Sequence, residues 1–281
     1  MRMRKIKIVA DSAADCFRLA EIDLAVAPLK IVTDESEFID NADLDVSAFV
    51  DYMDQYKGKS HSSCPNVDDW LEAFGDADDV LCVTITSGLS GSYNSACMAK
   101  EIYESENEGR RVFVIDSLSA GPEITLIVRM LERSIEGGTS FDEICAAASA
   151  YQKSTALVFM LKSLKTFANN GRVSPILAKA IRVLGISIVG KASDVGTLEP
   201  KHKCRGEKRS LEALFSLMIA QDYAGGRVSI GHCKNEGAAL SLRERILEQF
   251  PSAEIEIHPL MGLCSFYAEK GGILVGFEKS K

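Results

Sequence analysis

No two of the eight cysteines stand at CxxC spacing, and no pair of the four histidines has metal-ligand spacing. A zinc ribbon and a dithiol redox motif are therefore not expected, and the cysteines read as reduced, buried thiols. There is no G-x-G-x-x-G and no Walker loop, so direct nucleotide binding lacks support. The G-x-S-x-G elbow is also missing: the nearest stretch is Gly88-Leu89-Ser90-Gly91, with no evident His and acid partners after it. Basic charge is not in excess, since 32 Lys and Arg face 40 Asp and Glu for a net charge of −8. That argues against a nucleic-acid partner and against adhesion to an anionic membrane. No apolar run approaches the length of a membrane span, so stable membrane insertion is not expected. The short apolar run after Met1-Arg2-Met3-Arg4-Lys5 reads as a first strand and not as a signal peptide. Internal repeats and low-complexity segments are missing as well. These absences together predict a cytoplasmic protein with no metal and no cofactor.

What is present is an alternation. The chain has 281 residues, 46% of them hydrophobic, enough for a substantial core and two domains. Strand-like and helix-like segments alternate through the first half, which predicts a parallel sheet with helices on its faces. The spacing predicts a helix near Ala14 to Glu21, a strand near Leu24 to Ile31, and a helix from Val46 to Tyr56 capped by Asp45. A polar loop, Lys57 to Asn66, leads to a helix with the only tryptophan, Trp70. A boundary near Lys153-Ser154 divides residues 1–153 from 154–281. Beyond it come the strand Thr155 to Met160, a short helix Leu161 to Phe167, and a helix from Ser174 to Leu184. A strand pair surrounds Ser193-Asp194, and further helices and strands reach Phe277.

Three strands run straight into hydroxyl-bearing turns. Ile6 to Ala10 meets Asp11-Ser12, Val80 to Ile85 meets Thr86 to Gly91, and Val112 to Ile115 meets Asp116-Ser117. Ligands of open α/β sheets bind beyond the carboxyl ends of strands. The middle turn has glycines that permit close backbone approach, and a helix follows at once. Free N–H groups at a helix start favour an anion. Ser87 and the Gly88 backbone are the strongest anion candidates, against the alternative of an ordinary strand-to-helix turn. Ser62, in the loop His61-Ser62-Ser63-Cys64-Pro65-Asn66, is a second donor, against simple helix capping by Ser63 or Asn66. The run Lys201 to Arg209 is a local basic patch in an acidic chain. It reads either as a solvated face or as a contact for a phosphate or an acidic partner surface, and Arg172 after Gly171 could serve the same site.

Taken in order, these pieces resemble the DegV family of fatty-acid-binding proteins. The pieces are Asp11-Ser12 with Asp15, Ser62-Ser63-Cys64-Pro65, Ser87 to Tyr93, Asp116-Ser117, Leu164 with Asn170 to Ser174, and Arg205-Gly206. The resemblance spans essentially the whole chain. It implies a two-domain α/β fold: an N-terminal, Rossmann-like parallel-sheet domain and a C-terminal α/β domain with a mixed sheet. It also implies a long-chain fatty acid at their interface, acyl chain in a buried tunnel and carboxylate on strand-end hydroxyls. By this likeness Ser62, Ser87 and Gly88 bind the carboxylate, while Arg172 and Arg205 serve the head group or a kinase contact. The family's role is to present the fatty acid to a separate kinase catalytic subunit, which makes an acyl phosphate for phospholipid synthesis. The protein itself would then be a carrier and not an enzyme. Near the C-terminus the family carries His-Thr-Gly-Pro-Gly, where this chain has Leu263-Cys264-Ser265-Phe266-Tyr267. Cys264 or Ser265 stands in place of the family histidine. The alternatives are an enzyme, or a binding protein, for another small anion or lipid acid in the same crevice.

Overall fold

The structure, a computed structural model, describes residues 4–173 and 186–280. The helix expected from Ser174 to Leu184 lies outside the described residues. The chain opens with β1 (Ile6–Asp11), a 3-10 turn (Ser12–Ala14) and β2 (Leu24–Ala27). No helix forms from Ala14 to Glu21. The turn ends at Asp15, whose φ of 51° is left-handed and stops helical propagation. The expected strand from Leu24 to Ile31 is two strands, because Pro28 has no N–H to give to a ladder. Its second piece, β3 (Lys30–Thr33), forms a separate antiparallel sheet in the order β4-β3-β5 with β4 (Glu37–Ile39) and β5 (Ser60–Ser63). Thus part of the expected polar loop is a strand. Between β4 and β5 lies α1 (Val46–Gln55), whose N-cap Asp45 accepts the Ala48 N–H at 3.0 Å.

After β5 come α2 (Val67–Phe74), β6 (Asp79–Thr84), α3 (Ser92–Glu106), β7 (Arg111–Asp116), α4 (Pro122–Glu136) and α5 (Phe141–Lys153). The first sheet is wholly parallel, in the order β2-β1-β6-β7. Strand alternation sends Val9, Val80 and Cys82 into a core with Trp70, Phe74 and Ala99 of α2 and α3. It sends Ile8, Ala10, Leu81 and Val83 into a second core with Ile124 and Leu131 of α4. Both faces are covered, so β6 is buried at every residue.

The C-terminal half holds β8 (Thr155–Leu161), α6 (Lys165–Asn169), β9 (Ile186–Ala192), β10 (Leu198–Arg205), α7 (Glu207–Ala220), β11 (Tyr223–His232), α8 (Glu236–Gln249), β12 (Ile255–Pro259), α9 (Gly262–Ala268) and β13 (Ile273–Lys279). Its sheet is mixed, in the order β10-β9-β8-β13-β11-β12, with only β11 and β12 parallel. One face packs on α7 and α8 through Val158, Met160, Leu214 and Leu242. The other, with Leu157, Phe159, Leu161 and Leu274, joins the core that contains α4. β8 runs on through Leu161, so the short helix starts later, at Lys165. The basic run is mostly edge strand: Lys201, His202, Lys203 and Arg205 are exposed on β10. Lysines and Pro200 there discourage pairing with another chain.

Candidate functional site

Between the parallel sheet's strand ends and the open face of the mixed sheet lies a cavity of about 280 Å³. Its floor is Leu157, Phe159 and Leu161, alternate residues that share one face of β8. Leu274 on the neighbouring β13 and Leu198 on β10, two strands away, extend that floor. The opposite wall is polar. It has Ser62, Ser63 and Cys64 from the end of β5, Thr86, Ser90 and Gly91 from the turn after β6, and Ser119 after β7. Among the described lining residues Arg172 is the one that carries a charge, and none is a carboxylate. A cavity with an apolar floor, a hydroxyl-lined wall and Arg172 beside it suits a ligand with a long apolar body and a negative charge.

The turn after β6 is held from below. Asp11, at the end of β1, accepts the Ile85 N–H at 2.8 Å and the Ser92 hydroxyl at 2.6 Å. The Leu89 and Ser90 N–H groups donate to the Thr86 carbonyl, and the Ser92 N–H donates to Ser90 Oγ at 3.2 Å. Ser90 Oγ thus spends a lone pair locally and keeps its own hydrogen for another acceptor. The Arg172 Nε donates to the Leu89 carbonyl at 3.1 Å, and its Nη1 donates to the Asn170 carbonyl. The guanidinium is therefore fixed beside the same turn.

A second polar group comes from α9. The Tyr267 hydroxyl lies 2.8 Å from Ser62 Oγ. Two hydroxyls in one mutual bond use one hydrogen and leave the other for a third partner. Tyr267 packs at a tilt against Phe167, with ring centroids 4.7 Å apart. Burial raises its pKa, so it is a neutral donor. The N-terminus of α9 is capped by side chains from the first half of the chain. Asp40 accepts the Gly262 and Leu263 N–H groups at 2.8 and 2.9 Å, and Asp15 accepts the Met261 N–H at 2.9 Å. These bonds satisfy donors that the helix itself leaves unpaired.

The acids beneath the cavity are perturbed by burial. Desolvation lifts Asp11 to about 7 and Asp40 to about 6, despite the hydrogen bonds each accepts. It also carries Asp15 well above the ordinary carboxyl range. Glu123, at the start of α4, accepts hydroxyls from Ser119 and Thr155 and is lifted to about 7, again by burial.

The residues singled out by sequence are distributed as follows. Ser62 and Arg172 line the cavity. Ser87 is exposed and lies outside the lining, with its N–H donating to Asp116 at 3.0 Å. Gly88 also lies outside it. A Cβ there would sit 2.5 Å from the Val195 carbonyl, so the glycine admits the β9–β10 turn. Arg205 is exposed at the far end of β10 and does not line the cavity. Cys264 lines it, with its buried thiol directed at the Ala13 carbonyl. Ser265 donates to the Leu260 carbonyl and faces a smaller cavity of about 100 Å³ on the other side of α9. Sequence reasoning missed Tyr267 and passed over Ser90, although Ser90 belongs to the turn it singled out. Among the described residues, no group of three or more His, Cys, Asp or Glu is placed to hold a metal ion. No described helix is long and apolar enough to cross a membrane.

Fold and site define an α/β protein with a ligand cavity between a parallel and a mixed sheet, apolar on one wall and hydroxyl-lined on the other. The chain belongs to the DegV family, described as uncharacterised proteins, which it matches over residues 5–280. It is 43% identical over 276 residues to a DegV domain-containing protein of Streptococcus pneumoniae, covering 97% of this chain and 98% of that one. A DegV family protein from Eubacterium eligens, solved loaded with heptadecanoic acid, is 43% identical with a TM-score of 0.95, covering 98% of this chain and 100% of the other. The Streptococcus pneumoniae Fatty Acid Kinase (Fak) B3 protein, solved loaded with linoleic acid, is 42% identical with a TM-score of 0.96 and the same coverage.

Proposed function

We propose that this protein is a fatty-acid carrier that holds one long-chain acid between two domains divided near residue 153. The observation that carries this reading is the lining of the cavity: apolar throughout its floor, hydroxylated on the facing wall, with Arg172 as its one described charge. Two relatives of nearly identical fold were solved with long-chain fatty acids bound, which supports the same ligand class here. Each methylene buried in such a tunnel contributes about 0.8 kcal/mol. The acyl chain therefore supplies most of the affinity. The carboxylate, costly to bury unpaired, fixes the direction of entry.

The carboxylate accepts from the spare hydrogen of the Ser62–Tyr267 pair and from Ser90, beside Arg172. Tyr267 takes the place for which Cys264 and Ser265 were the sequence candidates. Ser87 and Gly88 support the site from outside the lining. The bound acid is presented to a separate kinase subunit, with exposed Arg205 as a contact for that partner. This role rests on the family resemblance and on the name of the Streptococcus pneumoniae relative. The carrier has no catalytic step of its own.

Native mass spectrometry of the purified protein, followed by denaturing extraction, tests the reading. The expected result is one fatty acid per chain. Protein that is empty and takes up no added fatty acid would overturn it.

A further inference from the structure

Phe159 sits in the middle of the cavity floor, between Leu157 and Leu161, and is 3% exposed. Its cross-strand partner is Gly190 of β9. Such partners present their side chains on the same face of the sheet. A phenyl ring standing upright on β8 would project into the cavity. Instead it leans sideways across the neighbouring strand. A Cβ built at Gly190 would lie 2.5 Å from the ring's Cζ and 2.8 Å from its Cε2. The ring occupies the volume that a side chain at position 190 would fill. Gly190 is not among the glycines with positive φ, so no backbone conformation demands a glycine there. Glycine weakens a strand interior, and close approach by another group is the physical reason to find one.

We propose that Gly190 and Phe159 act as a pair that determines which acyl chains fit, glycine providing the berth and the ring setting the height of the floor. The inference rests on the reading of the cavity as a fatty-acid site. With glycine at position 190 the ring lies flat and the passage between Leu157 and Leu161 stays open to a long, unbranched chain. A larger residue at 190 raises the ring into the tunnel and favours shorter acids. Loss of the ring frees space beneath the chain and favours longer or more strongly bent acids.

The test is a set of competition binding measurements with myristic, palmitic, stearic and arachidic acids on wild type, F159A, G190A and the double variant. F159A shifts preference toward longer acids, by about fourfold in relative affinity for each methylene newly accommodated. G190A shifts it toward shorter acids by a similar factor. In the F159A background the G190A change has no further effect, because no ring remains to displace. The Glu199 carbonyl also lies 2.6 Å from the added Cβ, so G190A carries the larger risk to folding. F159A avoids that clash and tests the ring alone, with urea unfolding run beside it because Phe159 also belongs to the core. An unchanged chain preference in F159A, or an equal G190A shift with and without the ring, overturns the proposal. Wild type that binds none of the acids overturns the fatty-acid reading and removes the inference with it.

Discussion

One wall of the cavity is built from strand ends and the other from a strand face. The difference explains why one is polar and the other is not. At the ends of β1, β6 and β7 the backbone leaves its ladder, and its N–H groups need new partners. Asp11, Thr86 and Asp116 supply them, accepting from Ile85, Gly88 and Ser87. Side chains that organise such turns are hydroxyls and carboxylates, and the hydroxyls become a ligand's donors when their hydrogen is left over. Along β8 the ladder continues unbroken. The strand pairs with β13 from Thr155 to Met160 and with β9 from Val158 to Leu161, so the face turned to the cavity can be wholly apolar. On the proposed function, the strand ends would confer direction and charge preference, and the strand face affinity and shape.

The sharpest way to break this division is to weaken the face. Leu161 is 1% exposed and belongs both to the floor and to the large core. Leu161→Ala should lower unfolding stability by about 2–5 kcal/mol, as a buried leucine truncation does. Urea unfolding measures it. Fatty-acid affinity should fall as well, since methylenes over the gap lose their contacts. A loss of affinity with stability unchanged would mean that the floor belongs to the ligand and not to the core.

On the polar side the largest expected loss is at Arg172. Removing a charged partner of the carboxylate costs about 1.5–3 kcal/mol, or roughly ten- to a hundredfold in affinity. Arg172→Ala should show that loss by calorimetric titration with palmitic acid. Its stability should change less than that of Leu161→Ala, because the side chain is only part-buried. Ser90→Ala removes one neutral donor and should cost about 1 kcal/mol, near fivefold. Equal losses at Arg172 and Ser90 would show that charge contributes nothing beyond a hydrogen bond.

The acids beneath the polar wall separate the two regions by pH. Asp11, Asp40, Asp15 and Glu123 are all raised by burial, so the folded chain binds protons more tightly than the unfolded chain. The contribution of Asp11, Asp40 and Glu123 to stability is complete below the ordinary carboxyl range and is lost as pH rises through about 6 to 7, and Asp15 acts in the same direction. Asp79 acts in the other direction. Burial opposes its ionisation, but hydrogen bonds from Arg4 and Arg111 outweigh that and hold it below the usual range. Its contribution is lost as pH falls through that lowered value. Unfolding free energy should therefore be higher near about pH 5.5 than near about pH 8. A flat profile between those values would mean that water reaches the buried acids.

Much of the polar wall was legible before any coordinates, because an apolar run ending in Asp, Ser, Thr and Gly is a local pattern. The parallel sheet followed from the same alternation. Three features were not local. Pro28 divides one apparent strand between two sheets. Asp15 ends a helical pattern by adopting a left-handed conformation, and its carboxylate caps a helix that begins at Gly262. Tyr267 meets Ser62 only after that helix has formed. The floor was hidden for another reason. Leu157, Phe159 and Leu161 are ordinary strand residues until register shows that their face turns away from α7 and α8.

The smallest expected effect settles which hydroxyls the strand ends lend to the ligand. By family likeness Ser87 stands among the carboxylate donors, and Ser87→Ala should then weaken binding by about 1 kcal/mol, as for any neutral donor. The geometry argues for less. Ser87 is exposed, outside the cavity lining, and joined to Asp116 through its backbone, which alanine retains. Surface substitutions of that kind stay within about 0.5 kcal/mol. We therefore expect Ser87→Ala to bind palmitic acid within about twofold of wild type, while Ser90→Ala loses about fivefold. The reverse order would move the carboxylate to the outer side of the turn and leave Ser90 as a structural residue.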